Sequence, residues 1–301
     1  MPKTDKAKIM QLCNDINKKS GDGTIYTIGS KHANLKINRW STGIEDLDAI
    51  IGGGMPEGRV IEIYGPESSG KTTLLYHLCG RQDLALDIPI EGTFDADRAK
   101  VFGNHPKQLL IYRARFGEDA LNKTIQFARA GIPLVGIDSV PSMVPKEDAE
   151  KVLKSADRDS IEEQRIGGTA RLLNKYLPTI EEIIEVTGTT LIFINQVRDK
   201  MNAMMFGEKT DTPGGRKLKH SCSLRIQVAR RAWIEIPNKN PHSTARNEKV
   251  GLIMKCKVTK SKVCNPMGEC EIPLFFDRGF VSYDDVASIR KELMKKRAEE
   301  F

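Results

Sequence analysis

Val60-Ile61-Glu62-Ile63-Tyr64, followed directly by Gly65-Pro66-Glu67-Ser68-Ser69-Gly70-Lys71-Thr72-Thr73, is the stretch on which the reading of this chain turns. An apolar run, a glycine-bounded turn and the helix-like Leu74-Leu75-Tyr76-His77-Leu78 come in the order strand, loop, helix, with the spacing G-x-x-x-x-G-K-T of a phosphate-binding loop. Gly65 and Gly70 let the chain turn tightly enough for successive backbone N–H groups to point at phosphate oxygens. A helix starting near Gly70 adds its positive end. Lys71 is placed to reach the β- and γ-phosphates, and the Thr72 hydroxyl to bind Mg²⁺.

The 301 residues suffice for one large core with small appendages. Hydrophobic residues make up 39% and charged residues 29%, and no apolar run approaches the roughly 20 residues needed to span a bilayer. The start, Met1-Pro2-Lys3-Thr4-Asp5-Lys6, leads into no apolar signal core, so a cytoplasmic protein without a membrane partner is expected. A net charge of +7 favours a polyanionic partner. The six cysteines (Cys13, Cys79, Cys222, Cys256, Cys264 and Cys270) form no close Cys-x-x-Cys pair of the kind structural zinc needs, and are read as reduced thiols.

Residues 1–40 read as an arm. Ile9, Met10, Cys13 and Ile16 make one apolar stripe on a helix from Lys6 to Lys19. Ser20-Gly21-Asp22-Gly23 breaks it, and Thr24-Ile25-Tyr26-Thr27-Ile28 reads as a strand ended by Gly29. One helix and one strand bury little by themselves, so the arm docks either on its own core or on a neighbouring copy. The core is expected over residues 41–283, where Ser41 or Thr42 can cap a short helix and Gly52-Gly53-Gly54 turns the chain into the phosphate-loop strand. Residues 284–301 read as a charged C-terminal helix with Val286, Ile289 and Leu293 inward.

Downstream of the loop, apolar runs at Leu84–Ile90, Leu109–Tyr112, Leu134–Ile137 and Thr190–Ile194 alternate with helical patterns at Asp95–Phe102, Glu118–Ala130 and Gly168–Glu185. That alternation predicts an α/β fold, a mostly parallel sheet with crossover helices on both faces. Ser223–Ala229, Val250–Thr259 and Glu271–Phe276 are strand-like without intervening helices and are expected to extend the sheet antiparallel.

Three further groups carry chemistry. The run Leu134-Val135-Gly136-Ile137 ends in Asp138, a carboxylate that can hold Mg²⁺ through water beside the phosphate loop. Glu91 follows the second strand and can polarise an attacking water, with Asp87 and Asp95 as competitors. Phe193-Ile194-Asn195-Gln196-Val197-Arg198 ends a strand in an amide, Gln196, that can sense whether ATP or ADP is bound. From Asp199 to Gly215 no periodicity is visible, yet Met201, Met204, Met205 and Phe206 sit among Arg198, Lys200, Lys209 and Arg216. Loops of that length are functional or disordered, and apolar tips among cations suit wedging between bases while the cations hold phosphates.

These motifs, in this order and with the Ser41-Thr42-Gly43 lead-in and the Met205-Phe206-Gly207 loop tip, closely resemble the bacterial RecA recombinases over roughly residues 5–285. The resemblance implies an ATP- and Mg²⁺-dependent helical filament that exchanges strands between single-stranded and double-stranded DNA. Lys71, Thr72 and Asp138 match its phosphate and Mg²⁺ positions, Glu91 its water-activating glutamate and Gln196 its γ-phosphate sensor. Lys260 and Lys262 match a pair that reaches the ATP of the next protomer, which supports a polymerising arm. DNA-facing loops are implied at about Asp157–Gly167 and Asp199–Gly214. Arg171, Arg198 and Phe206 are implied in the primary DNA site, with Arg165, Lys200, Met204, Gly214, Gly215 and Arg216 also expected to bind DNA. Arg230, Lys255 and Lys257 match a secondary basic site, and Lys255 and Lys257 share one strand face by alternation.

The chain departs from the family where its adenine-stacking aromatic is Arg98, where Arg216 stands for an asparagine and His220 for an aromatic, and where the separate C-terminal domain is absent. It reads as a core-only recombinase of the kind some phages encode. Competing readings are a hexameric RecA-fold motor, an ATP-binding regulatory paralogue and a small-molecule kinase.

Overall fold

The strand that precedes the phosphate loop, Val60–Gly65 (β1), is buried along its whole length because it lies in the interior of a nine-stranded sheet. The structure is a computed structural model, and it describes residues 5–21, 24–27, 30, 37–92, 94–154, 161–199, 210–238 and 244–300, with the side chains of 151–154, 161–166, 199, 210 and 300 left aside. The other strands of this sheet are Ala85–Pro89 (β2), Leu109–Ile111 (β3), Leu134–Asp138 (β4), Thr190–Gln196 (β5), Leu224–Pro237 (β6), Asn247–Ser261 (β7), Glu269–Phe275 (β8) and Gly279–Phe280 (β9). Their order is β9-β8-β7-β6-β1-β5-β4-β2-β3. The strands from β6 to β3 in that order are parallel, and β7, β8 and β9 are added antiparallel.

Alternation along the strands sends side chains into two cores. Ile61, Ile63, Ile192 and Ile194 face one that includes Leu47 of helix α2 (Glu45–Ile50) and Leu74, Leu75 and Leu78 of α3 (Lys71–Cys79). Val135, Ile137, Leu191 and Phe193 face the other, filled by α5 (Gly117–Arg129), α7 (Ile161–Thr187) and α8 (Gly215–Ser221) through Leu121, Leu173, Leu177, Ile180 and Leu218. This is the expected α/β sandwich. Helix α4 (Ala96–Val101) follows β2, α6 (Lys146–Lys154) follows β4, and α9 (Val286–Glu300) packs Ile289 and Leu293 against Ile236 and Phe275. Among the described residues, no helix is long and apolar enough to cross a membrane.

Local detail refines several expectations. Pro89, a residue that cannot donate to a ladder, does not break β2. It is the terminal residue, opposite Asp138, and the next N–H, that of Ile90, donates to the Asp138 carbonyl at 2.7 Å, so the ladder loses nothing. Neither Ser41 nor Thr42 caps α2, whose N-cap is Ile44; their hydroxyls instead donate to the Asp48 carboxylate at 2.6 and 2.7 Å. The segment expected to be a loop at Asp157–Gly167 is helical from Ile161 onward as the start of α7, and residues 155–160 lie outside the described residues.

The chain divides into two compact units, Met1–Asn38 and Arg39–Phe301. In the first, α1 (Lys6–Ser20) is capped by Asp5, whose side chain accepts from the Lys8 N–H. Thr24–Thr27 form no strand, and Ile28 lies outside the described residues. The Asn17 carboxamide bonds both backbone groups of Ile25, at 2.7 and 2.8 Å, and so takes the partner role that a neighbouring strand would otherwise supply.

Candidate nucleotide and nucleic-acid site

The parallel strands deliver their C-terminal ends to one edge, where an open α/β sheet places its ligands. Gly65 ends β1 and Gly70, at φ 91°, turns the chain into α3 without a side-chain cap, so the first N–H groups of that helix point outward. A side chain at Gly65 would fall 1.9 Å from the Val228 carbonyl oxygen. The loop is braced internally, with Ser69 Oγ and Lys71 Nζ donating to the Pro66 carbonyl at 2.8 and 2.6 Å. Burial lowers the Lys71 pKa, opposed by the carboxylates of Asp138, Glu91 and Glu67.

Thr72 Oγ1 donates to Asp138 Oδ2 at 2.6 Å, which joins the first turn of α3 to the tip of β4. Burial pushes the Asp138 carboxyl up to about 6, with the Thr72 hydrogen bond working the other way. This hydroxyl–carboxylate pair is a hard-oxygen donor set. Among the described residues no group of three or more His, Cys, Asp or Glu side chains could hold a metal ion. As oxygen donors the pair suits Mg²⁺ completed by phosphate oxygens and water, the usual way that ion is bound.

Glu91 closes the same edge. Its Oε1 accepts from Ser139 Oγ, from Ser142 Oγ at 3.5 Å and from Gln196 Nε2 at 3.4 Å. Of the two competing carboxylates, one is a helix cap and the other is buried away from the edge. Asp95 caps α4, accepting from the Arg98 N–H at 2.9 Å. Asp87 is 1% exposed and burial pushes it up to about 8, with Asp138 adding to the effect.

A cavity of about 680 Å³ opens beside the loop, lined on its far wall by Arg98, Trp233 and Phe276. Arg98 Nη2 donates to Thr73 Oγ1 at 3.1 Å, and its guanidinium carbon lies 5.9 Å from the Phe276 ring centroid. Trp233 stands 6.4 Å from Phe276, edge to face, with the Arg230 guanidinium 4.1 Å over its ring. Trp233 and Phe276 carry no spacing relative to Lys71 in the sequence: Trp233 is brought to the loop by β6 and Phe276 by the turn that follows β8.

The residues expected to face DNA are distributed unevenly. Arg198 is exposed on a two-residue ribbon, Arg198–Asp199 paired antiparallel with Thr210–Asp211, so the long segment is pinched at its base rather than structureless throughout. Lys200, Met204 and Phe206 lie outside the described residues, as does the side chain of Arg165. Gly214 and Gly215 both take positive φ, at 99° and 74°, and lead into α8, where Arg216 is exposed. Arg171 lines a separate cavity of about 320 Å³ with Glu118 and Asp148. Lys262 Nζ donates to the His220 carbonyl at 2.8 Å and Lys260 Nζ to the Lys219 and His220 carbonyls, so both lysines gather on the C-terminal end of α8. Lys255 pairs across the sheet with Ala229 and Lys257 with Gln227, whereas Arg230 pairs with Met254 on the opposite face and reaches the Ser68 carbonyl at 3.4 Å. Lys255 is also bridged to Glu269 at 3.1 Å.

Comparison with known proteins agrees with this geometry. The family described as RecA N-terminal domain matches residues 7–281. A relative described as Protein RecA from Campylobacter fetus is 35% identical over 282 residues, covering 91% of this chain and 76% of its own length. Proteins of the same description from Campylobacter lari and Helicobacter pylori are 36% identical over 270 residues (88% of this chain, 73% of the relative) and 37% identical over 283 residues (91% and 76%). With its parallel sheet, phosphate loop and strand-end carboxylates in place, the chain belongs to the RecA family.

Proposed function

We propose that this chain is a DNA-dependent ATPase that forms a helical filament on single-stranded DNA and pairs and exchanges that strand with duplex DNA. Family membership supports a recombination and repair role in general terms. The finer reading rests on one observation, the Gln196–Glu91 contact beside the Thr72–Asp138 pair. That contact joins a residue able to read the γ-phosphate to a residue able to work on water.

In this reading the backbone N–H groups of residues 67–72 and the Lys71 ammonium bind the phosphates of ATP. Thr72 and Asp138 would hold Mg²⁺, which would supply charge neutralisation at the transferring phosphoryl group. Glu91 orients a water and takes its proton, and Ser139 and Gln196 fix the carboxylate in place. Lys260 and Lys262, held on the end of α8, face the nucleotide of an adjacent copy, which puts ATP at the subunit boundary. Arg171, Arg198 and Arg216 contribute to the grip on the single strand, together with Lys200, Met204 and Phe206. Base pairing within the filament supplies sequence recognition.

The test is ATP turnover with and without single-stranded DNA, joined to electron microscopy with a non-hydrolysable ATP analogue. DNA-stimulated turnover and open helical filaments are expected. Closed rings, or turnover indifferent to DNA, would overturn the proposal.

A further inference from the structure

Gln196 and Pro213 stand at the two ends of the segment that leaves β5 and returns to α8, and a single buried carboxamide holds both. Asn195 Oδ1 accepts from the Gln196 N–H at 2.9 Å, while Asn195 Nδ2 donates to the Pro213 carbonyl at 2.8 Å and to Glu62 Oε1 at 2.7 Å. Asn195 is fully buried, both its N–H donors are used, and its oxygen is engaged by the residue expected to sense the γ-phosphate. The brace has a second arm. Glu62, also fully buried, receives Arg225 Nε on its other oxygen, and Arg225 Nη2 donates to Thr212 Oγ1 at 3.1 Å. The guanidinium lies 4.6 Å over the Tyr64 ring, and the Tyr64 hydroxyl bonds Thr259 at 2.9 Å. Glu62 is three residues before Gly65, on the strand that carries the phosphate loop.

We propose that Asn195 is the positioning residue through which the bound nucleotide sets the affinity for DNA, with the Glu62–Arg225–Thr212 chain as its second arm. The inference rests on the ATP and DNA reading given above. Its physical content is that the strand end bearing Gln196 and the return at Thr212–Pro213 cannot move independently. A displacement of Gln196 by the γ-phosphate carries the Asn195 carboxamide with it, and that carboxamide holds the backbone where the segment comes back. Asn195 and Glu62 are fully buried and Thr212 is 6% exposed, so little water is at hand to replace a lost bond. The ties are hydrogen bonds to charged or fully buried groups, and losing one such bond changes an equilibrium by about tenfold or more.

The experiment measures oligonucleotide affinity with a non-hydrolysable ATP analogue and with ADP, and takes their ratio as the coupling factor. It is read for the full chain, for Thr212→Val, for Thr212→Ser and for Asn195→Ala, each with its melting temperature. Thr212→Val keeps the shape and deletes only the hydroxyl, so its factor falls by about tenfold; Thr212→Ser retains the wild-type factor. Asn195→Ala brings the factor close to one. Nucleotide affinity measured with and without oligonucleotide must change by the same factor, because coupling is reciprocal. A purely structural role would lower the melting temperature and weaken DNA binding equally in both nucleotides, and that result overturns the inference. So does a Thr212→Val protein with the wild-type ratio. A wild-type protein whose own ratio is one overturns the reading of function and this inference together, which separates the two failures.

Discussion

Gln196 Nε2 and Glu91 Oε1 meet at 3.4 Å although 105 residues separate them in the chain. The meeting is made by the sheet. Gln196 ends β5 beside Gly65, and Glu91 leaves β2 just after Pro89 pairs with Asp138. In the proposed reading, the residue that would recognise a third phosphate thus touches the one that would act on water.

Glu91→Gln keeps the size of the side chain and removes its basicity. Turnover measured by phosphate release is expected to fall by about 10²- to 10⁴-fold, the usual worth of a general base. Filtration of labelled nucleotide should still show binding. Turnover unchanged by the substitution would return the water-activating role to another group.

Asp138→Asn weakens the oxygen pair formed with Thr72. The Mg²⁺ concentration giving half-maximal nucleotide binding is expected to rise by at least about tenfold, as for the loss of one charged donor. Thr72→Val should move it in the same direction. A midpoint that stays put in both proteins removes these residues from the metal.

Asp87 predicts a pH dependence of stability. Its carboxyl ordinarily titrates near 3.8 and is pushed up to about 8 by burial. Between those values the folded chain holds a proton that the unfolded chain has released, so this residue makes stability fall as pH rises through that window and level off above it. Asp87→Asn cannot titrate. Its melting temperature relative to wild type should therefore climb from pH 5 to pH 8 and hold steady beyond. A difference independent of pH would mean that Asp87 is ionised in the fold.

Trp233 makes the cavity wall observable. The other tryptophan, Trp40, donates to Thr190 Oγ1 at the start of β5, about 20 Å along the strand from Gln196. Nucleotide binding is expected to change tryptophan emission in wild type and not in Trp233→Phe. If Trp233→Phe retains the full change, the base lies elsewhere.

Lys257 shares its strand face with Lys255, which is bridged to Glu269. Should that face hold a DNA strand, Lys257→Ala reduces the slope of log affinity against log salt by about one. An unaltered slope excludes Lys257 from the phosphate contacts.

The sequence made the sheet legible because each parallel strand is a short, continuous apolar run, and the nucleotide edge legible because its residues directly follow those runs. Glu91, Asp138 and Gln196 lie at or just past strand ends, and Lys71 and Thr72 open the helix that the loop leads into. What stayed hidden depends on partners far along the chain. Glu62 reads as an exception in an apolar strand until Asn195 and Arg225, 133 and 163 residues away, are seen on its two oxygens. Arg230 reads as a companion of Lys255, but its pairing with Met254, next to a register shift in β6, puts it on the opposite face. Thr24–Thr27 has strand-like composition, yet the Asn17 carboxamide bonds the backbone of Ile25 where strand pairing was expected.

Gly65 has no room for even a methyl group against the Val228 carbonyl. The phosphate cradle therefore rests, backbone on backbone, against the long strand that also carries Arg225 and Trp233. Whatever tightens or slackens that cradle must shift this strand too, since no compressible side chain lies between to absorb the motion. In the proposed reading, occupancy at the ligand end would therefore be felt as tension along the middle of the sheet, passed through a joint that has no side chain in it.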